Sequence, residues 1–300
     1  MSYRKEKIWT LAEGAQKLMS AEKPKSKVDL KSLFQSTMER GMHGICFSAY
    51  EEGQSPGHIL EEKQVRRRIE ILKPYSKWVR SFSCVEGNEW IPKIAKENGM
   101  KTLVGAWLGN DLDMNKKEIE GLIELAKAGY VDIAAVGNEV LYRGDLTEAQ
   151  LLAYIHQVKK ELPAIEVGYV DAYYEFSDHP AITEACDVVL ANCYPYWEGC
   201  HFDHSIAYMK QMYQQAIHSA KGKKVIITET GWPSQGGNLK AAHPNWENSV
   251  QYFIRTQQWS AKDNIDIFYF SSFDESWKIA GEGDVGAYWG LWDKNEVFKF

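Results

Sequence analysis

The sequence lacks any long apolar stretch. No run approaches about 18 consecutive apolar residues, the length that a membrane-spanning helix requires, and the charged first residues, Met1 to Lys7, are followed by no apolar run of signal-peptide length. We therefore expect no membrane partner. For the chain as written we expect a cytoplasmic location, and a periplasmic or secreted one if a leader was removed.

Basic residues are also in short supply, since 35 Lys and Arg are outnumbered by 41 Asp and Glu and the net charge is −6. Proteins that bind nucleic acid concentrate Lys and Arg on one surface. The one basic cluster, Arg66 to Arg68, has Glu61, Glu62 and Glu70 nearby in a helical pattern, which indicates a solvated helix face. The composition therefore predicts no nucleic-acid partner.

Metal-ligand patterns are absent as well. The five cysteines form no Cys-x-x-Cys pair, and three lie in apolar strand patterns, which favours buried, reduced thiols. The pair His201 and His204 has no further ligand cluster in its segment, and no predicted strand end supplies His. We expect neither a metal nor another cofactor, which argues against a metal-dependent barrel hydrolase or isomerase.

Eight short β-rich runs alternate with helical patterns such as Lys116 to Ala128 and Glu148 to Glu161. The runs are Gly44 to Ser48, Trp78 to Cys84, Lys101 to Trp107, Val131 to Val136, Glu166 to Val170, Asp187 to Asn192, Lys224 to Thr228 and Ile265 to Ser271. Strand–helix alternation at roughly 30 residues per unit predicts an α/β protein with a single (β/α)8 TIM barrel. A doubly wound sheet is the alternative, but the first strand is followed by no G-x-G-x-x-G turn.

The residues before the first predicted strand are interpreted as an N-terminal extension of the barrel. They comprise a helical pattern from Trp9 to Ser20, a Lys/Pro-rich link from Lys23 to Lys27 and a second helical pattern from Asp29 to Arg40. We predict that residues 1–41 form a helical extension packed on the barrel and that residues 42–300 form the catalytic barrel.

Two carboxylates follow β-rich runs. Glu139 comes after Val131 to Val136, directly behind Asn138, and Glu229 comes after Val225 to Thr228, just before a Gly-Trp-Pro turn. In a TIM barrel, the strands' C-terminal ends form one face, and active sites lie there. Glycoside hydrolysis needs one protonated carboxyl group and one carboxylate on opposite faces of the anomeric carbon. The pair therefore predicts a glycosidase, in which the amide of Asn138 can donate to the sugar 2-hydroxyl.

Three ordered segments resemble motifs of glycoside hydrolase family 17, which comprises β-1,3-glucanases and related transglucosylases. Ile226 to Ser234 matches the nucleophile signature, Val136 to Glu139 matches the acid/base segment, and Phe273 to Lys278 resembles the element after strand eight. Gly44 to Ser48 looks most like the bacterial branch of the family. The resemblance implies a retaining double displacement on β-1,3-glucan, with Glu139 as acid/base and Glu229 as nucleophile.

The resemblance also implies roles for residues around this pair. Arg80 resembles the arginine that supports the nucleophile, Tyr194 resembles its tyrosine partner, and Glu275 and Lys278 resemble a sugar-binding pair. Weaker candidates for contact with the substrate are the rings of Trp197, Trp232 and Trp277 and the polar groups of Tyr50 and Asp171. Flat aromatic faces suit sugar rings.

The choice between hydrolysis and transfer stays open at this point, because water and sugar compete for the same intermediate. The aromatic segment Tyr194 to Trp197 and Trp232 could hold an acceptor sugar, which would favour a β-1,3-glucanosyltransferase. A non-catalytic glucan-binding barrel is a third alternative. The presence of both Glu139 and Glu229 argues against it.

Overall fold

The eight strands form a closed parallel barrel in the computed structural model, which describes residues 26–300. They are β1 (Met42–Cys46), β2 (Ser76–Ser81), β3 (Lys101–Ala106), β4 (Ile133–Asn138), β5 (Glu166–Ala172), β6 (Val188–Asn192), β7 (Lys224–Thr230) and β8 (Ile267–Tyr269). Each strand pairs with the next, and β8 pairs with β1 through Gly44 and Ile45. The predicted (β/α)8 barrel is confirmed.

Helices surround the barrel within the described residues. They are α1 (Lys27–Arg40), α2 (Glu62–Leu72), α3 (Trp90–Glu97), α4 (Leu112–Lys127), α5 (Val140–Arg143), α6 (Glu148–Glu161), α7 (Glu175–Asp178), α8 (Pro180–Ala185), α9 (Ser205–Ala220), α10 (Trp246–Asp263) and α11 (Ile279–Glu282). Helix α6 has its predicted bounds. Helix α4 begins four residues before the predicted Lys116, because the side chain of Asp111 caps the N–H groups of Asp113 and Met114.

The strands are apolar because both of their faces are covered. Every residue of β4 and β6 is buried, and β3, β5 and β7 expose only their first residue. A strand between a filled barrel interior and a helical layer has no solvent face, so its sequence shows no polar alternation. The polar side chains that are buried near the strand ends therefore stand out as candidates for function.

Helix α1 represents the described part of the predicted extension. Ser26 caps it through a capping box with Asp29, and Phe34 packs against the rings of Phe253, Phe298 and Phe300. The helical pattern from Trp9 to Ser20 lies outside the described residues. The boundary between an extension at 1–41 and a barrel at 42–300 stays a prediction.

All five cysteines are free and buried. Between residues 26 and 300, no three His, Cys, Asp or Glu side chains are grouped as a metal site would need. No helix in this same range has the length and apolar character to cross a membrane.

Replacing Phe34 by Ala should test how firmly α1 is attached. The ring is 3% exposed and lies in an aromatic cluster, so its removal should lower the free energy of unfolding by about 3–5 kcal/mol, as buried Phe→Ala changes do. Chemical denaturation measures this loss. Val28→Ala is the matched control, because Val28 lies on the same helix and is 74% exposed. A loss below about 1 kcal/mol for Phe34→Ala would show that the helix is only loosely held.

Candidate active site

A cavity of about 390 Å³ opens at the C-terminal ends of the strands. Both predicted catalytic carboxylates, Glu139 and Glu229, line it. Further lining residues are Phe47, Tyr50, Phe82, Trp107, Glu118, Asn138, Arg143, Tyr194, Trp197, Phe270, Trp277, Lys278 and Glu282. The cavity therefore combines an apolar aromatic wall with several charged groups, as small-molecule sites generally do.

Glu139 is placed by a break in the regular pairing of β4. The register between β4 and β5 shifts between Ala135 and Asn138, and Gly137 has φ +84°, where an added Cβ would lie 2.8 Å from Val140. Glu139 itself has φ 53°, a conformation that costs free energy for a residue with a side chain. Its N–H donates to the carbonyl of Val170 at 2.8 Å. This irregular end turns Asn138 and Glu139 toward the cavity.

Glu229 is also next to an irregularity, because the pairing of β7 with both neighbours shifts near this residue. Its two carboxylate oxygens have different donors. Arg80 Nη1 donates to Oε1 at 2.7 Å, and the hydroxyl of Tyr194 donates to Oε2 at 2.8 Å. Burial and the negative charge of Glu229 both raise the pKa of Tyr194, so this phenol stays a donor.

Arg80 connects the two predicted catalytic segments. Its Nη2 donates to Oδ1 of Asn138 at 2.6 Å, while Nη1 holds Glu229, and its guanidinium lies 4.2 Å from the ring centre of Phe82. Burial is the largest single influence and disfavours the cation, but Glu229 and Cys46 together outweigh burial and raise the pKa of Arg80. Arg80 is therefore a permanent positive charge beside Glu229.

Glu139 has a partner that the sequence analysis missed. Asn192, at the end of β6, donates from Nδ2 to Oε1 of Glu139 at 2.9 Å, and the hydroxyl of Thr228 donates to Oδ1 of Asn192 at 2.9 Å. The side chains of Asn192 and Thr228 are fully buried. The available signal was an Asn that ends an apolar run two residues before Tyr194, the same kind of position that Asn138 occupies.

Asp171 lies elsewhere than predicted, because it is fully buried and does not line the cavity. It accepts hydrogen bonds from the hydroxyl of Tyr169 and the N–H groups of Ala172 and Tyr142. Burial and the nearby carboxyl group of Glu139 raise the pKa of Asp171. The prediction of a direct contact with a sugar hydroxyl therefore needs correction: in this structure Asp171 is a neighbour of Glu139 beneath the cavity.

Trp232 also departs from its predicted position. Its indole is 0% exposed and packs against Tyr196, Phe202 and Tyr252, with Nε1 donating to the carbonyl of His243 at 3.0 Å. The turn that follows Glu229 sends this large ring into the layer between the barrel and α10, where burial stabilises it. Trp232 is a packing residue in this structure rather than a sugar platform.

The remaining aromatic candidates lie at the cavity. Trp197 packs on Trp289, with 5.3 Å between the ring centres. Tyr50 meets Trp277 edge to face, and Asn88 donates to its hydroxyl. All three of the predicted residues, Trp197, Tyr50 and Trp277, line the cavity.

Glu275 and Lys278 form an ion pair after β8. Lys278 Nζ lies 2.5 Å from Oε2 of Glu275, and the indole of Trp277 donates to the other oxygen at 3.0 Å. Lys278 lines the cavity, whereas Glu275 lies behind it. Glu275 therefore reaches the predicted binding surface only through Trp277 and Lys278.

Glu118 is a further carboxyl group at the cavity that sequence reasoning did not select. It lies on the buried face of α4, in the helical spacing of Asn115, Ile119 and Leu122, so its position in this apolar stripe was the available signal. Its oxygens accept from the hydroxyl of Ser83 and the N–H of Cys84. Burial raises the pKa of Glu118 to about 7 in spite of these hydrogen bonds.

Comparison with known proteins agrees with this geometry. Residues 44–290 match the family model of the BtgE/BtgC glycoside hydrolase domain. The structure of a glycoside hydrolase family 17 β-1,3-glucanosyltransferase from Rhizomucor miehei superposes with a TM-score of 0.78 and 30% identity, covering 87% of this chain and 96% of that one. The chain therefore belongs to the BtgE/BtgC glycoside hydrolases, and its resemblance to family 17 is confirmed.

Curated relatives are fungal as well. A glucan 1,3-beta-glucosidase of Arthroderma benhamiae is 28% identical over 266 residues, covering 81% of this chain and 85% of the relative. A cell surface mannoprotein of Candida albicans is 28% identical over 265 residues, covering 84% and 67%. These relatives do not support the predicted bacterial branch.

The pKa of Glu118 predicts how stability depends on pH. The folded-state pKa of about 7 exceeds the ordinary 4.5, so the native state binds this proton more tightly than the unfolded chain. The contribution to stability is complete below pH 4.5 and is lost as the pH rises through about 7. Glu118→Gln should therefore gain stability relative to the wild type between pH 5 and pH 8, by up to about 3 kcal/mol.

Urea denaturation of both proteins at several pH values measures this difference. Glu120→Gln is the matched control, because Glu120 lies on the same helix with an exposed side chain. A constant difference in the free energy of unfolding between Glu118→Gln and the wild type across this pH range would contradict the prediction.

Proposed function

We propose that this protein cleaves β-1,3-linked glucan by a retaining double displacement, with Glu229 as the nucleophile and Glu139 as the acid/base. The observation that carries the proposal is the contrast between the two carboxylates in one cavity. Glu229 is held by a guanidinium and a phenol, whereas Glu139 is held by a neutral amide and has Asp171 nearby. Such contrasting environments separate the roles of two carboxyl groups.

In the first step, an oxygen of Glu229 attacks the anomeric carbon while the bond to the leaving oxygen breaks. The proton of Glu139 passes to that leaving oxygen, so the departing sugar leaves as a neutral alcohol. Arg80 and Tyr194 donate to the two oxygens of Glu229 and hold the carboxylate aligned before the attack.

In the second step, Glu139 acts as a base. It takes a proton from water or from a sugar hydroxyl, whose oxygen attacks the anomeric carbon and releases Glu229. Asn138 supports both steps, since its Oδ1 accepts from Arg80 and its NH2 group remains as the donor for the sugar 2-hydroxyl, a bond that strengthens in the transition state.

The relatives support β-1,3-glucan as the substrate. The Arthroderma benhamiae relative is named a glucan 1,3-beta-glucosidase, and an active-site mutant of the Rhizomucor miehei enzyme was solved in complex with laminaritriose. The aromatic wall of the cavity, with Trp197 and Trp277, suits stacking against successive glucose rings. The same rings can exclude water from the intermediate, so we propose that transfer to a second glucan chain competes with hydrolysis.

We propose an exported protein rather than a cytoplasmic one. The support is the likeness to the Candida albicans relative, which is named a cell surface mannoprotein.

Glu139→Ala should distinguish acid/base catalysis from other roles. Loss of the acid should slow cleavage of oligosaccharides by at least about 100-fold, because general acid–base catalysis contributes about 10²- to 10⁴-fold. Aryl glycosides with a good leaving group should still form the glycosyl intermediate, and added azide should restore turnover and give a β-glycosyl azide. Kinetics on both substrate types, with NMR of the product, measure these effects.

Glu229→Gln is the matched control for that experiment. It should abolish turnover of both substrate types, because an amide cannot form the glycosyl ester, and azide should not restore a β-linked product. An α-glycosyl azide from Glu139→Ala, or equal damage on both substrates, would contradict the proposed acid/base role.

Transfer should appear as products longer than the substrate. A β-1,3-linked oligosaccharide at millimolar concentration should yield such species by mass spectrometry, because the aromatic wall favours a bound sugar over water as the acceptor. Trp197→Ala should lower the ratio of longer to shorter products. A purely shorter series at every concentration and time would contradict transfer.

A further inference from the structure

Asn192 is fully buried and hydrogen-bonded to Glu139. We propose that Asn192, oriented by Thr228, is a positioning residue that decides which oxygen of Glu139 carries the catalytic proton. This inference rests on the acid/base role proposed for Glu139.

The orientation of the Asn192 amide follows from its second hydrogen bond. The hydroxyl of Thr228 donates to Oδ1 at 2.9 Å, so the carbonyl end of the amide faces β7 and the NH2 end faces Glu139. The backbone carbonyl of Thr228 is occupied separately by the thiol of Cys46 at 3.2 Å. The amide therefore presents a donor, not an acceptor, to the carboxyl group of Glu139.

A fixed donor at Oε1 determines the position of the proton. Nδ2 of Asn192 lies 2.9 Å from Oε1, and in a carboxylic acid the carbonyl oxygen is a better hydrogen-bond acceptor than the hydroxyl oxygen. Oε1 therefore accepts from Asn192 when Glu139 is ionised and also when it is protonated. The proton is left to Oε2, which delivers it to the leaving oxygen and takes it back from water or the acceptor hydroxyl.

The arrangement also restricts rotation of the Glu139 side chain. The contact from Asn192 connects the ends of β4 and β6, and Thr228 extends it to β7, which carries Glu229 on the next residue. Proton transfer requires close placement of the reacting atoms. A hydrogen bond that holds Oε1 of Glu139 in place also holds Oε2 at a defined position in the cavity.

The experiment compares Asn192→Ala with the wild type on two substrates of the same sugar, a β-1,3-linked oligosaccharide and a dinitrophenyl β-glycoside. On the oligosaccharide, kcat/KM should fall about 10- to 100-fold, a part of the rate that general acid catalysis contributes. On the dinitrophenyl glycoside it should change less than about threefold, because that leaving group needs no proton.

The pH profile gives a second readout. A donor stabilises the ionised carboxylate more than the neutral acid, so losing it in Asn192→Ala should move the alkaline limb of kcat/KM on the oligosaccharide to higher pH. An unchanged limb together with equal losses on both substrates would overturn the inference, because that result is expected of a purely structural residue.

Thr228→Val tests the orienting hydroxyl with little change in shape, and it serves as the second variant if Asn192→Ala folds poorly. It should reproduce the selective loss on the oligosaccharide, and Thr228→Ser should restore activity. Thr230→Val is the matched control: it removes a buried hydroxyl from the same strand, one that bonds Tyr252 rather than the amide of Asn192. If Thr230→Val shows the same selective loss as Thr228→Val, the orienting role is overturned.

A parallel arm with Glu139→Ala separates this inference from the proposed function. If Glu139→Ala damages both substrates equally, the acid/base assignment itself fails. If Glu139→Ala is selective for the oligosaccharide and Asn192→Ala is not, only the positioning role of Asn192 fails.

Discussion

The buried ion pair between Arg80 and Glu229 is the interaction on which the rest of the site depends. Both side chains are almost wholly removed from water, and their charged atoms lie 2.7 Å apart. Removing one partner of such a pair costs about 3–5 kcal/mol, because the other charge is left buried and uncompensated. The pair contributes little net stability to the barrel, but it fixes one positive and one negative charge at the mouth. Asn138 and Tyr194 take their positions from these two charges.

The barrel reaches this arrangement by departing from regular pairing at three strand ends. Register shifts occur beside Asn138, Asn192 and Glu229, and these are the residues whose side chains meet around the proposed reaction. A regular strand alternates its side chains between the two sides, so consecutive polar residues could not all face the cavity. A bulge changes the direction of one residue without breaking the strand, which explains why irregular backbone coincides with the candidate site.

Much of the fold could be predicted from the sequence, because both barrel layers impose simple patterns. Continuous apolar runs predicted the strands, and the helical pattern from Glu148 to Glu161 gave the bounds of α6. In the structure, a capping box between Thr147 and Gln150 sets the start of this helix. The strands β4, β5 and β7 extend beyond their predicted ends into the residues that carry function. Those ends contain polar residues and Gly137. In a sequence such residues indicate that a strand has ended, although the pairing with the neighbouring strand continues through them.

Site residues could be predicted where the end of a strand alone locates them at the barrel mouth. They were harder to predict where side-chain packing decides whether a residue reaches the cavity. Glu139 and Glu229 were predicted at the C-terminal ends of two strands, so their location at the barrel mouth followed from topology alone. Asp171 lies among the last two residues of β5 and Trp232 follows β7, but both side chains point away from the cavity into buried surroundings. Asn192 and Glu118 were missed because each reads as part of an apolar segment, and only the folded structure shows the groups that they meet.

The two carboxyl groups also have different surroundings, in keeping with the different roles proposed for them. Glu229 faces the guanidinium of Arg80, a buried positive charge that needs a negative partner. The contact to Glu139 comes from the uncharged amide of Asn192, and the buried carboxyl group of Asp171 lies nearby. Two neighbouring carboxyl groups in a low dielectric do not readily hold two negative charges. Glu139 and Glu229 therefore have different electrostatic surroundings, and a retaining pair needs such a difference because its two members do different work.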